Sequence, residues 1–585
     1  MTADLGDREK FRQRRRREPV EDREPIVHKE IEEAFDLVPV PGNGYRWYDY
    51  PYIVLWWLAH GWRAKVLRGR VRRWIFDGIN YLGVFNHHDR DKAWSLDDPH
   101  HNVFVPEDEH VNVAGIWIVE LFPPTELPSL ERALQTNGWD GSRVDVLRDG
   151  GNQKALEKAR TGRGAFWWRL VDVVRRDSKW FVPDGVREEI PSDFDYVGMR
   201  AVQVGASLTA VVAHFHLTEE AATELDAEWH RQHEPMLLRR KGRPRPLDRQ
   251  WTTFWEVQSE RKRLHYAARD WLADRLPGFF AKNSEPSPLL DLMLFDKLDP
   301  TADVPDLARV ENAREKEIKE GDALRALGLR EPAFETLQSE DLPKLVLAQL
   351  DGHMHEALGE DPTWTLWGSR PAVVEALGED GLKFYGNDQN RAIAARLVDN
   401  MYNLFVMLAV SQFLTVTERR YAAIRDRASM RHGKFKPKAL DEMRNDLLTH
   451  SLNLASVRRD VAAFWERPWR WDGDAAFSWH PTPRERARKS NEDSATREPA
   501  SFNESLRESH TKWFHRLSES DRDYRDILST VATLGASIDT YRMGRIALFV
   551  AIASMTAAVA AVLLVDTGPD SLWSKCWEAV SNWLG

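Results

Sequence analysis

Residues 546–565 read IALFVAIASMTAAVAAVLLV, twenty consecutive positions without a charge in a chain of which 30% is charged. At about 1.5 Å per helical residue, the run matches the roughly 30 Å hydrocarbon core of a bilayer. Its strongly apolar members, among them Ile546, Leu548, Phe549, Val550 and Ile552, together favour insertion by about 3–6 kcal/mol. Arg542 and Arg545 precede the run and Asp566 follows it, at the depth where headgroups would sit. These flanks favour a transmembrane helix over the buried core helix that such a run otherwise suggests.

The sequence on either side sets the context. Residues 502–545 carry Leu517, Tyr524, Val531 and Ile538 at seven-residue spacing, interleaved with Trp513, Ile527, Leu534 and Tyr541. That is the seam of a coiled-coil stalk, or equally a stripe that packs against helices of the same chain. Within the span, Ala553, Ala557 and Ala561 repeat every fourth residue, as do Ala547 and Ala551, a spacing that lets helices approach closely in lipid and points to a homo-oligomer. Residues 566–585 form a tail whose Trp573, Trp577 and Trp583 suit a membrane interface. Upstream, residues 480–501 are rich in Pro, Ser and charge and read as a flexible linker.

With 585 residues the chain has room for two or three compact units. Residues 1–40 interleave Glu and Arg with few large apolar groups and are expected to be a disordered extension. The start is polar and runs into Arg12 and Arg14 to Arg17 without an apolar h-region, so no cleavable signal is expected. Two arginines precede the span and only Lys575 follows it closely, which favours a cytosolic N-terminal part and an outside tail. The expected location is therefore the cell membrane, spanned once.

Residues 41–110 hold an apolar stretch, Tyr52 to Leu58, and then Leu67, Val71, Trp74 and Ile75 on one helical stripe among six cations from Arg63 to Arg73. Such a segment lies on an inner leaflet or packs on the folded body, and packing is the favoured expectation. Residues 111–245 read as a layered α+β domain with a mainly antiparallel sheet: strands at Gly115 to Leu121 and Trp167 to Val174, a hairpin of Val197 to Gly205 with Ser207 to Leu217, a helix at Thr125 to Thr136 and another from Thr218. Residues 246–479 read as a helical bundle, with helices at Phe254 to Ala273, Pro305 to Leu327, Asp341 to Leu358, Asn390 to Arg427 and Lys438 to Trp465. Asn403, Gln412 and Thr415 mark the fourth of these as buried in protein, not a second span. The fold class is thus α+β and predominantly helical, ending in a long stalk helix that continues into one C-terminal transmembrane helix.

Chemistry is sparsely marked. The phosphate loop, dinucleotide fingerprint, nucleophile elbow, HExxH and kinase motifs are all missing, so no catalytic residue and no cofactor is assigned. The lone cysteine, Cys576, excludes an internal disulfide and a Cys-rich zinc module. The net charge of −10 argues against a nucleic-acid partner. Most of the 25 tryptophans, such as Trp56, Trp57, Trp167, Trp168, Trp251, Trp255, Trp465 and Trp469, are expected to pack in the core. Two histidine clusters are candidate metal sites. One joins His87, His88, His100 and His101 with Asp89, Asp91, Asp97 and Asp98 in a polar loop, and the other places His214 and His216 on one face of a strand, with His230 and His233 on the next helix.

A cytosolic α/β domain, long helices and C-terminal membrane insertion are similar in outline to CorA-type magnesium channels, and the likeness implies a channel-like oligomer. The Gly-Met-Asn loop of that family is missing after Val565 and no second span follows, so membership is not claimed. The leading expectation is a non-enzymatic scaffold, sensor or effector that meets the lipid bilayer and an unidentified protein partner. A metal-dependent membrane enzyme and a channel or transporter are the competing readings.

Overall fold

A computed structural model describes residues 46–60, 63, 68–87, 103, 105–141, 151–163, 165–178, 182, 185–238, 245–302, 323–329, 335–350, 362–378, 382–383, 388–430, 437–471, 474–482, 485–486, 499–565 and 572–584. The chain forms two compact units, one of Met1–Phe413 with Arg459–His510 and the other of Leu414–Arg458 with Thr511–Gly585.

The described chain begins with helices α1 (Asp49–Ala59) and α2 (Gly69–His87). Next come β1 (Val111–Phe122), α3 (Leu127–Thr136), α4 (Asn152–Arg160), β2 (Trp167–Arg175), β3 (Val186–Glu188), β4 (Phe194–Gln203), β5 (Thr209–Leu217) and α5 (Glu219–His230). A small hairpin, β6 (Met236–Leu238) with β7 (Arg245–Leu247), leads into α6 (Arg249–Arg275), α7 (Phe279–Lys282) and β8 (Leu289–Phe295). Then follow α8 (Ala323–Ala326), β9 (Glu335–Ser339), β10 (Val346–Gln349), β11 (Thr363–Ser369), α9 (Arg370–Leu377), α10 (Gln389–Met430), α11 (Pro437–Trp465), β12 (Phe477–Pro481) and β13 (Ala500–Ser501). The chain closes with α12 (Phe502–Val565) and α13 (Leu572–Leu584).

Eleven strands make one mixed sheet in the first unit, in the order β13-β12-β9-β10-β11-β8-β1-β5-β4-β2-β3. All of its pairs are antiparallel except β8 with β11 and β2 with β3. β1 is apolar along nearly its whole length because the sheet is covered on both faces. Ile116, Ile118 and Phe122 share one core with Ala213 and Phe215 of β5 and with Phe254, Val257, Leu264 and Ala268 of α6. Local signals agree with this layering: the Thr218 hydroxyl accepts from Ala221 N at 3.2 Å to start α5, and Asp248 accepts from Trp251 N at 2.9 Å to start α6. The β4–β5 turn is held by Asp460 of α11, whose carboxylate accepts from Ser207 N at 2.6 Å and Leu208 N at 2.8 Å.

Several expectations require correction. The stretch read as a helical bundle contains β8 to β12, which carry the sheet far beyond residue 245. β8 (LLDLMLF) and β11 (TWTLWGS) are buried at nearly every position without a sustained alternation, and a short buried strand of that kind has no period that separates it from a buried helix. The expected helix from Asp341 contains β10 instead, and residues 305–322 lie outside the described residues. The linker region begins on β12 and ends on β13, while its middle, 487–498, lies outside the described residues. Of the tryptophans expected in core and inter-element packing, Trp56, Trp57, Trp167, Trp251 and Trp469 are exposed; among the described residues the fully buried indoles are Trp117, Trp139, Trp229 and Trp367.

A buried ion pair ties the helical layer to the middle of the sheet. Arg261 of α6 donates through Nε and Nη2 to the two Asp291 oxygens of β8, each at 2.8 Å, and also bonds Thr365 Oγ1 of β11 and the Leu327 carbonyl. His265 Nε2 lies 3.0 Å from Asp291 Oδ2. Burial opposes the Asp291 charge, but the Arg261 cation and the His265 contact outweigh it and hold the carboxyl down at about 2. Arg261→Ala is expected to destabilise the first unit by about 3–5 kcal/mol, because a buried carboxylate is left without its cation. Urea denaturation followed by tryptophan fluorescence measures the loss.

Glu120 is a buried ionisable group on β1. Its carboxylate accepts from Phe280 N at 2.7 Å, Ala281 N at 3.3 Å, Leu121 N at 3.2 Å and Ser287 Oγ at 3.0 Å. Burial outweighs these bonds and pushes the group up to about 7. The folded value lies above the ordinary one of 4.5, so this contribution to stability is full below pH 4.5 and is lost as pH rises through about 7. In Glu120→Gln the loss between those values is expected to disappear, and melting midpoints recorded across pH 4.5–8 read it directly.

Candidate functional site

One helix among the described residues is long and apolar enough to cross a membrane, within Met543–Ala561 of α12. It is the end of a 64-residue helix that starts in the first unit and, from Thr511, runs through the second. There Phe514 and Leu517 are buried, Trp513 Nε1 donates to Glu418 Oε2 at 3.0 Å, Asp521 accepts from Tyr421 Oη at 2.8 Å, and Tyr524 stacks on Tyr421. The seam residues Trp513, Leu517 and Tyr524 therefore meet helices of their own chain. The side chains of 531–542 lie outside the described residues. From Met543 to Ala561 every side chain is exposed, Phe549, Leu548 and Ile546 included. The tail helix α13 likewise exposes Trp577, Val580 and Trp583, the last at 85%.

A second apolar surface lies in the first unit. α1 and α2 pack through a small core of Tyr48, Tyr52, Leu82 and Phe85. Their outer sides leave Tyr50, Ile53, Val54, Trp56 and Trp57 of α1 and Val71, Trp74 and Phe76 of α2 exposed, Trp74 at 69%. The expected stripe is split, because Ile75 is buried while Val71 and Trp74 face outward. Of the segment expected to pack on the body, α2 meets β7, while Val71, Trp74 and Phe76 stay exposed. Cations border the patch: Arg63 lies 3.6 Å over the Trp57 ring, Arg72 lies 5.6 Å from Phe76, and Arg68, Arg70 and Arg73 are exposed beside them.

His214 and His216 share a face of β5, as their alternate spacing predicts, but that face is interior. Their ring centroids are 4.0 Å apart, and His214 stacks on Trp117 of β1 at 4.2 Å. Tyr196 lies beside His216 at 5.0 Å and donates to Asp172 Oδ1 at 2.6 Å. Arg200 of β4 pairs with Asp399 of α10 at 3.1 Å and covers the Tyr402 ring. Burial pushes His216 down to about 3, with the Arg391 charge adding to it; burial, His216 and Arg200 hold His214 well below its ordinary value. Both rings are therefore neutral packing elements near neutral pH, stacked within a closed layer.

The loop cluster is not assembled by the described structure. His88, His100, His101 and their neighbouring aspartates lie outside the described residues, and only the backbone of His87 is described, at the end of α2. His230 and His233 turn to other partners: His230 Nδ1 donates to the Asp226 carbonyl at 2.8 Å, and His233 Nε2 lies 3.1 Å from the Glu228 carbonyl. Beside His230 stands His110, which was not singled out in the sequence because it lies far from α5 along the chain.

Compared with known proteins, the chain matches no family model, no curated protein and no solved structure.

The His214 ring depends on space left by Gly115, where a Cβ would meet His214 Nε2 at 2.6 Å and Trp117 Cη2 at 2.9 Å. Gly115→Ala is expected to displace the stack and cost about 1–3 kcal/mol of stability. Near-ultraviolet circular dichroism and denaturant midpoints measure both effects.

Proposed function

We propose that this chain is a single-pass membrane protein whose large N-terminal body is a non-enzymatic scaffold, sensor or effector on the cytosolic side. The observation that carries this reading is α12, one unbroken helix that runs from turns buried against its own unit into a wholly exposed apolar segment. Water leaves such a segment uncovered at high free-energy cost, and a bilayer removes that cost. Arg542 and Arg545 on one side support a cytosolic N-terminal part, with α13 and its tryptophans at the outer interface.

The same reading accounts for the α1–α2 patch. Trp56, Trp57 and Trp74 beside Arg70, Arg72 and Arg73 have the composition of an interfacial surface, in which indole rings enter the headgroup layer and arginines meet anionic lipid. Each unit would then touch the bilayer through its own surface. Self-association through the exposed Ala553, Ala557 and Ala561 series of the span is the second reading, and it leads to the channel-like oligomer.

Lysine at both Ile552 and Val559 is expected to abolish integration, since each charge at the span centre costs about 2.5–3.5 kcal/mol. Alkaline extraction of membranes measures it, and a variant that still resists extraction would remove the anchor. Glutamate at Arg70, Arg72 and Arg73 in protein carrying the two lysines is expected to weaken binding to phosphatidylserine vesicles at least about 100-fold. Flotation equal to that of the parent would remove the surface contact while leaving the anchor standing.

A further inference from the structure

His110, Asp226 and His230 meet where the start of β1 passes the end of α5. Asp226 and His230 are one turn apart on α5, so they share a face. The end of that helix is fixed by Trp229, whose Nε1 donates to the Ala323 carbonyl at 2.8 Å and whose ring meets Phe295 edge-on. His110 is held from the other side, because its carbonyl accepts from Asp296 N at 3.1 Å and the next residue, Val111, donates its N–H to Asp226 Oδ1 at 2.9 Å. The site is therefore built on a strand, a helix and their mutual hydrogen bonds.

The donor atoms converge. One ring nitrogen of each imidazole and one Asp226 oxygen all lie within 4.8 Å of one another. His110 Nδ1 is 2.8 Å from Asp226 Oδ2, and the two imidazole centroids are 5.1 Å apart. His230 Nδ1 lies 2.8 Å from the Asp226 carbonyl and 3.5 Å from Asp226 Oδ1, both acceptors, so Nδ1 carries the proton and Nε2 carries the lone pair. That Nε2 is buried and has no hydrogen-bond partner. A backbone carbonyl that fixes the tautomer of a ligating histidine is the usual outer-shell arrangement at metal sites.

We propose that His110, Asp226 and His230 form a binding site for a divalent transition metal of the Zn2+ or Co2+ type. Ligands around tetrahedral zinc stand about 3.3 Å apart, given Zn–N bonds of about 2.0–2.1 Å. The observed separations, up to 4.8 Å, exceed that spacing, so the side chains must close on the ion, and His110, the exposed member, exchanges its Asp226 hydrogen bond to do so. Two imidazoles and one carboxylate favour a transition metal over Mg2+ or Ca2+, which take all-oxygen sites. Three protein ligands leave a fourth position for water at the half-open edge of the fold. The Asp226 hydrogen bond, with the negative potential of Asp226, Asp296 and Glu109, raises the His110 pKa, so a metal ion here competes with the ring proton.

The test uses the full chain in detergent, titrated with Co2+ and then displaced with Zn2+. One equivalent of Co2+ with visible d–d absorption is expected. His110→Ala and His230→Ala should each weaken binding by more than the about 10–100-fold typical of outer-shell changes, while His233→Ala should leave it unchanged. Asp226→Asn, which keeps an acceptor for Val111 N, provides a ligand change that preserves the local hydrogen bond, and the circular dichroism of each metal-free variant reports folding. Absence of stoichiometric binding overturns the proposal. So does binding that survives both His110→Ala and His230→Ala, or binding lost when His87, His88, His100 and His101 are replaced by alanine together.

Discussion

The Arg261–Asp291 pair is the constraint around which the first unit is arranged. Asp291 sits at the middle of β8, the strand that joins the β1–β5 half of the sheet to the β9–β11 half. A carboxylate there is tolerated only because Arg261 reaches it from α6 with two parallel hydrogen bonds and uses its remaining donors on Thr365 and Leu327. Those contacts fix α6 above the sheet at one register. The apolar core of Phe254, Val257, Leu264 and Ala268 then closes over Ile116, Ile118 and Phe215.

A layered body of this kind makes its uncovered apolar surface more telling. The interior has taken the large side chains of β1, β5, β8 and α6, yet the α1–α2 tryptophans and the whole of Met543–Ala561 remain outside. Contiguous apolar surface of that extent is a contact surface. In α12 the change from packed to uncovered turns occurs within one continuous helix, so secondary structure does not mark the boundary; partners do. From Thr511 to Tyr524 the partners are helices of the same unit, and from Met543 to Ala561 every side chain is exposed.

Much of this architecture was legible from pattern. The exposed apolar segment of α12, the β4–β5 hairpin, the capped start of α5 and the long helices α6, α10 and α11 follow from apolar run length, alternation and cap residues, all of which act within a few neighbours. The later strands were not legible. LLDLMLF in β8 and TWTLWGS in β11 have no period of their own, and their strand state is set by pairing with β1 and with each other. Exposure of the tryptophans was also hidden, because an indole suits a core and a membrane interface equally well.

The histidines show the same division. Alternation correctly put His214 and His216 on one face, but only the packed structure around that face made them buried rings beside Trp117 and Tyr196. The i, i+4 pair of Asp226 and His230 was present in the helix from the start, whereas His110 joins it across more than a hundred residues through the β1–α5 contact. The sequence alone determined what depends on neighbours along the chain: the uncharged span, the helix starts and the alternating strands. Only the tertiary structure decided which surfaces are covered and which distant donors converge, because burial and convergence depend on what each element packs against.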